Sequence, residues 1–531
     1  MRTGVSYKQQ PINGKYDVIV IGSGLGGMST AAILAKEGKK VLVLEKHYTL
    51  GGFTHMFTRK DYEWDVGIHY IGNVEKKERA LRKLFDYITD EQLEWADMGE
   101  VYDRIVFGDK EYQLVKGVDN FKAKLKTYFP DAIDQKAIDV YTETVYKASV
   151  AARSFYEEKA LPGWLSFLFG YFMRRKYLKY ARRTTLEVMR EITDNKKLIG
   201  VLTGQYGDYG LTPSESSFAM HAMVVKHYFN GGYYPVGGSS RIAETILPVI
   251  EKADGAMFSN AEVKEIIIEK GKAVGVKMAD GKSIFADKIV SNAGIENTYE
   301  KLIPGKIAQL NGMKKQLDKV RPSASHMSLY IGLKHTAEEL KIPKANYWIY
   351  PDNYNHDENL QNFVKDPAAP FPVTYISFPG AKDPDFTNRF PGRCTIEIIG
   401  FAPYEWFEKW EGTRWKKRGA EYEAFKEEIA QRMLKELYRF EPQLKGKIDT
   451  YELSTPLSTK HFANYQHGEI YGIAHSPDRF ELKFLRVQTP IKNLFLTGQD
   501  IVTAGIGAAI LSGLLTASTI CGKNLGKKVI S

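Results

Sequence analysis

Cysteine is almost missing from this chain of 531 residues, which has only Cys394 and Cys521. The two stand far apart and form no C-x-x-C pair. That argues against a disulfide framework, a zinc site or a dithiol redox centre; no metal is expected, and the pattern fits a reducing compartment. Internal repeats and low-complexity tracts are also lacking, which argues against solenoid and linker-dominated architectures. Charge of one sign is scarce: 74 Lys and Arg against 64 Asp and Glu leave a net +10. For this length that is weak ground for an acidic partner, and no nucleic acid is expected. The opening MRTGVSYKQQPINGK has no apolar core of a signal peptide, so a cytoplasmic location is expected.

What is present suffices for two or three domains, with 43% hydrophobic and 26% charged residues. The chain is organised around Tyr16 to Glu45, YDVIVIGSGLGGMSTAAILAKEGKKVLVLE. An apolar β-branched run leads through Gly22-Ser23-Gly24-Leu25-Gly26-Gly27 into helix-forming sequence, and a second strand, Val41 to Leu44, ends on Glu45. This is the G-x-G-x-x-G fingerprint of a dinucleotide site. Gly22 allows the turn, Gly24 lets a pyrophosphate approach the backbone, and Gly27 lets helix and strand pack. The helix N-terminus favours the anion, and Glu45 accepts from ribose hydroxyls. Gly51 and Gly52, soon after the acid, would let the chain pass close to a large ligand; the alternative is an ordinary turn.

Two apolar stretches raise the question of a membrane. Leu161 to Met173 is uncharged and is followed by Arg174, Arg175, Lys176, Lys179, Arg182 and Arg183. It is too short to span a bilayer, and its basic flank predicts peripheral association with a membrane surface; the alternative is a buried helix with a solvated end. Ile501 to Gly522 is long enough to span, but its Gly, Ala, Ser and Thr content and its context predict a buried helix. It follows a strand, Asn493 to Leu496, and the turn Gly498-Gln499-Asp500. A strand, a glycine, an acid and a helix start make the second half of a flavin site, with the acid on a ribityl hydroxyl and the helix N-terminus towards the ring.

Between these ends, Val74 to about Tyr156 reads as charged and largely helical. Gly204 to Gly238 is dense in glycine and aromatics, which either pack or line a pocket for a flat apolar ligand. Glu262 to Glu269, Ala273 to Ala279 and Ser283 to Ala286 read as a three-stranded meander joined by Lys270-Gly271-Lys272 and Asp280-Gly281. Ala420 to Tyr438 is an amphipathic helix.

The segments YDVIVIGSGLGGMSTAAILAKEGKKVLVLEKH, LGGFTHMF, EWDVGIHYIG, GDYGLTPSESSFAMHAMVVKHYFNGGYYPVGGSSRIAE, VSNAG and NLFLTGQD resemble the retinol saturases, within the wider family of phytoene desaturases and carotenoid isomerases. One departure is Thr503-Ala504-Gly505, where many relatives have a proline before the glycine. The resemblance implies an α/β fold: a Rossmann-type FAD-binding domain of the two-dinucleotide-binding, amine-oxidase-like kind, with a discontinuous α+β substrate domain. The FAD domain is expected from 1–110, 235–300 and 486–531, and the substrate domain from 111–234, which also meets the membrane, and 301–485. FAD would be held by Gly22, Ser23, Gly24, Gly26, Gly27, Glu45, Lys46, Gly51, Gly52, Val263, Gly498, Asp500 and Ile506.

The implied substrate is a lipophilic polyene, a retinoid or carotenoid, with one double bond saturated by hydride from reduced flavin. Desaturation, cis-trans isomerisation or action on an unsaturated fatty acid stay open. With a single G-x-G-x-x-G the electron source is open, NAD(P)H being a candidate. The catalytic acid is sought among His69, Tyr70, His227 and Tyr234, although a packing or hydrogen-bonding role is the stronger reading of each. A plain NAD-dependent dehydrogenase and a flavin-binding lipid carrier are the competing readings, and the oligomeric state is undetermined.

Overall fold

The run Tyr16–Ile21 forms the central strand that its β-branched residues predict. Its neighbours build an eight-stranded sheet in the computed structural model, which describes residues 4–530. Six strands are parallel, in the order Val5–Ser6, Ala256–Ser259, Val41–Leu44, Tyr16–Ile21, Ser283–Ser291 and Leu494–Leu496. Strands buried on both faces read as continuous apolar runs, as VIVI and VLVL do here.

The expected meander is present as Val263–Glu269, Lys272–Met278 and Ser283–Ser291. Its last strand does two jobs. Residues Ser283 to Phe285 pair antiparallel with Lys272–Met278, while Ile289 to Ser291 lie parallel between Tyr16–Ile21 and Leu494–Leu496. The hairpins thus hang from the strand that brings the chain back into the parallel sheet.

Helix Leu25–Lys36 packs against helix Ile506–Cys521 on this sheet. Ser29 donates its hydroxyl to the Ile510 carbonyl at 3.3 Å, and a Cβ added at Gly513 would lie 1.8 Å from Ser29 Oγ. This close approach accounts for the small residues of the uncharged C-terminal run, whose helix is 16 residues long. No helix among the described residues is long and apolar enough to cross a membrane.

A second sheet of seven strands faces the first across the interior, in the order Ile448–Ser454, His326–Leu333, Cys394–Phe401, Thr374–Ser377, Asn346–Tyr350, Val101–Phe107 and Lys110–Val115. Helix Ala420–Phe440 buries Ile429, Met433, Leu434 and Leu437 in the apolar cluster that holds Leu329, Ile331, Ile396 and Ile398. The strands at 101–115 correct the reading of Val74 to Tyr156 as largely helical. Asp103 and Arg104 break the apolar pattern of VYDRIVF, but Asp103 is fully buried and hydrogen-bonded to Asn346 of the neighbouring strand. Periodicity cannot reveal a charge that is satisfied inside.

A helical layer, running from Val118–Tyr128 through Ala132–Glu158 to Phe218–Tyr228, covers this part of the molecule. Within it, helix Gly163–Ala181 buries Ser166, Gly170, Tyr177, Leu178 and Ala181 along one side only.

Candidate active site

Two helix N-termini open onto one cavity of about 1000 Å³ that lies between the two sheets. The first is that of Leu25–Lys36, whose N-cap Gly24 provides no side-chain acceptor; the second is that of Ile506–Cys521, whose N-cap is Gly505. Unmet N–H groups at a helix start are an anion and oxygen site.

Glycine is required where the loop meets its neighbours. A Cβ at Gly27 would fall 2.2 Å from the Gly22 carbonyl oxygen, and one at Gly26 would fall 2.7 Å from Gly498 Cα. Gly26 therefore seats the C-terminal turn on the N-terminal loop. Asn292, just past strand Ser283–Ser291, completes the junction: its side chain lies within 2.8 Å of the Cβ positions of Gly24, Gly26 and Gly498. Its segment VSNAG was visible in the sequence, but nothing local identified Asn292 as the piece wedged between the two glycine turns.

Glu45 ends its strand beside the loop. Its Oε2 accepts from both the N–H and the hydroxyl of Ser23, and its Oε1 accepts from the His47 N–H, all at 2.8 Å. The Ser23 oxygen in turn accepts from the Gly51 N–H at 3.0 Å. Asp500 is buried, with Oδ2 accepting from the Ile295 N–H at 2.8 Å and Oδ1 from the Ile473 N–H at 3.3 Å. Gly22, Gly24, Gly26, Glu45, Lys46, Gly52, Val263, Gly498, Asp500 and Ile506 all line the cavity. Ser23, Gly27 and Gly51 stand behind that lining and hold it. Lys46 pairs with Glu262 at 3.0 Å.

The opposite wall is apolar and aromatic, with Met220, Met223, Val224, Tyr228, Trp348, Val373, Tyr375 and Ile399. His69, Tyr70 and His227 reach the cavity, whereas Tyr234 is buried behind it and donates to Asp65. His227 accepts from the Gly72 N–H on Nε2 at 2.8 Å, and burial lowers its pKa to about 4. His69 Nδ1 lies 2.9 Å from Glu397 Oε2 but off the line of a hydrogen bond; burial, with Lys382 adding to it, holds its pKa down at about 4. In both, burial favours the neutral imidazole.

Behind His69 lies a buried cluster that local sequence did not announce. Glu397 accepts from the Asp65 N–H at 2.7 Å, and Lys382 donates to the His69 carbonyl at 3.0 Å, to Ser377 at 2.7 Å and to Asn346. Burial pushes the carboxyls of Glu397 and Asp65 up, to about 8 and about 7, and pushes the Lys382 ammonium down to about 7.

The family model described as flavin containing amine oxidoreductase matches residues 25–521. The chain belongs to that family. A member of the flavin containing amine oxidoreductases is an FAD-dependent oxidoreductase, and this member's residues fit the cofactor. The glycine cradle has no room for side chains, both helix starts are uncapped towards the cavity, and Glu45 and Asp500 line it.

Within the family, the chain is 39% identical over 530 residues to the all-trans-retinol 13,14-reductase of Homo sapiens, covering 96% of this chain and 86% of the relative. It is 37% identical over 534 residues to that of Danio rerio, covering 97% and 87%. The resemblance to the retinol saturases is thereby borne out. A solved oxidoreductase from Methanosarcina mazei has the same fold, with a TM-score of 0.63 at 15% identity over 96% of this chain and 100% of that one.

Proposed function

We propose that this oxidoreductase saturates one carbon–carbon double bond of a lipophilic polyene, a retinoid or carotenoid. The observation that carries the reading is a cavity with two unlike walls: glycine turns, Glu45 and Asp500 on one side, aromatic and aliphatic side chains on the other. A flat apolar chain laid along the second wall lies against whatever the first wall holds. The identity to retinol reductases along nearly the whole chain supports the same substrate class.

Bound FAD supplies the redox chemistry of such a site. The chain's own residues cradle the nucleotide, keep water from the polyene and hold it in register. Tyr70 and Tyr228 stack with ring centroids 4.3 Å apart, a rigid flat surface of this kind. With its one G-x-G-x-x-G loop assigned to FAD, electrons come from a donor that visits the protein, and NAD(P)H is the candidate.

Peripheral membrane association belongs to the same reading, since a polyene partitions into lipid. Helix Gly163–Ala181 exposes Trp164, Phe167, Leu168, Phe169, Tyr171 and Phe172, with Phe167 87% exposed, and Arg175, Lys176 and Lys179 follow on the surface. Aromatics beside basic residues suit the interface of an anionic bilayer.

The decisive experiment is the product mass after anaerobic incubation of the reduced and, separately, the oxidised enzyme with retinoids and carotenoids. A gain of two hydrogens is expected. Loss of two by the oxidised enzyme would mean a desaturase, and unchanged mass with altered retention an isomerase.

A further inference from the structure

We propose that Asp208 is the acid that gives the second hydrogen to the polyene, an assignment that rests on the reductase reading above. Asp208 closes the short turn Tyr206–Asp208 and lines the cavity. It is partly accessible, whereas Asp103 beside it is fully buried. Its position relative to the nucleotide side follows from two contacts. Tyr471 donates its hydroxyl to the Gly207 carbonyl at 2.9 Å, and the next residue, Gly472, abuts Asp500, where a Cβ would lie 2.1 Å from Oδ1. Asp208 thus sits in the apolar chamber two contacts from the acid of the C-terminal turn.

The proton's place follows from hydrogen-bond arithmetic. Tyr70 Oη lies 2.8 Å from Asp103 Oδ2 and 3.5 Å from Asp208 Oδ2. A phenol has one hydrogen, and the shorter contact gives it to Asp103. Asp103 also accepts from Asn346 Nδ2 at 2.9 Å and from Gln205 Nε2 at 2.8 Å, so three donors hold its charge. Asp208 has only the long contact to Tyr70, whose one hydrogen is already given to Asp103. Of the two neighbouring carboxyls, Asp208 is the one that keeps a proton. Burial raises both carboxyls, Asp103 against the pull of its three donors and Asp208 to well above its ordinary value, with Asp103 adding to it.

The step balances with the cofactor the family uses. One carbon of the double bond accepts a hydride from bound reduced flavin, and the other accepts the proton of Asp208. The π pair is consumed, two C–H bonds form and the flavin is oxidised. Asp208 is left as a carboxylate beside that of Asp103, a repulsive arrangement that draws a proton back from water.

The test compares wild type with Asp208→Asn, which keeps the size of the side chain and a polar contact to Tyr70. In flavin-loaded protein near neutral pH, infrared spectroscopy should show a protonated carboxyl band that the variant lacks. Under anaerobic conditions, oxidation of the reduced variant by all-trans-retinol should be about 100-fold slower or more, with retinol affinity and flavin content unchanged. An equal rate, or weaker retinol binding at an unchanged limiting rate, overturns the assignment and makes Asp208 a bystander or an anchor. Because Glu397 also holds a proton in the fold, the readout is the difference between the two proteins, and carboxyl bands of equal intensity in wild type and variant also overturn the assignment. If the Asn variant sheds its flavin, Asp208→Glu decides, since an acid there should restore most of the rate. If wild type itself is oxidised by no retinoid or carotenoid, the reductase reading falls, and the assignment with it.

Discussion

One oxygen of Glu45 accepts two hydrogen bonds from the same residue, the N–H and the hydroxyl of Ser23, each at 2.8 Å. The end of the second strand is thereby tied to the glycine turn, and the Glu45 carboxylate is held at the cavity edge where a ribose would meet it.

Glu45→Ala should give a folded protein that purifies with much less flavin. Hydrogen bonds to a charged group contribute on the order of 1.5–3 kcal/mol, or roughly 10- to 100-fold in affinity. The ratio of flavin absorbance to protein after gel filtration measures this. Full flavin content in the folded variant would remove Glu45 from the binding set.

The two glycines Gly27 and Gly305 should respond in opposite ways to alanine. At Gly27 the new Cβ meets the Gly22 carbonyl at 2.2 Å, whereas at Gly305, the first residue of helix Gly305–Leu310, nothing lies within 4 Å. Gly27→Ala should destabilise by about 1–3 kcal/mol and loosen flavin. Gly305→Ala should be neutral or stabilise by up to about 1 kcal/mol. Thermal melts of both variants, with and without added FAD, check the contrast.

The buried carboxyl of Glu397 makes stability depend on pH. Burial raises its pKa from 4.5 to about 8, against the backbone N–H of Asp65 and the charge of Lys382, which pull the other way. The folded chain therefore keeps a proton that the unfolded chain releases, and this contribution falls as pH rises from about 4.5 through about 8. Lys382 runs in the opposite sense, since its pKa is lowered to about 7 and its contribution rises from there towards 10.5. Comparing wild type with Glu397→Gln isolates the carboxyl. In urea titrations the variant should gain on wild type by on the order of 3 kcal/mol between about pH 5 and about pH 7.5, at about 1.4 kcal/mol per pH unit. A constant difference across that range would mean that Glu397 is ionised in the fold.

Flotation with liposomes tests the exposed helix. Binding should be favoured by anionic lipid and weakened by salt, and replacing Arg174, Arg175 and Lys176 by glutamate should cost about 1 kcal/mol per residue near the surface. Trp164→Ser with Phe167→Ser should weaken it as well without unfolding the protein, because both side chains are exposed, by 65% and 87%. Undiminished flotation of both sets would move the anchor elsewhere.

The sequence by itself determined what is local. The turn at Gly22, the close packing at Gly27, the acid at the end of Val41–Leu44 and the turn at Gly498 and Asp500 each depend on a few neighbouring residues. Backbone conformation and period are written at that range. The small-residue content of Ile501 to Gly522 likewise carried the choice of a buried helix over a span. What only the tertiary structure decided is the meeting of distant polar groups. Asp65 and Glu397 are 332 residues apart, Tyr70 and Asp208 are 138 apart, and Asn292 is wedged between glycines from both ends of the chain. A carboxyl's proton depends on how completely folding removes water and which donors it supplies, and neither is a property of the residues beside it in the chain.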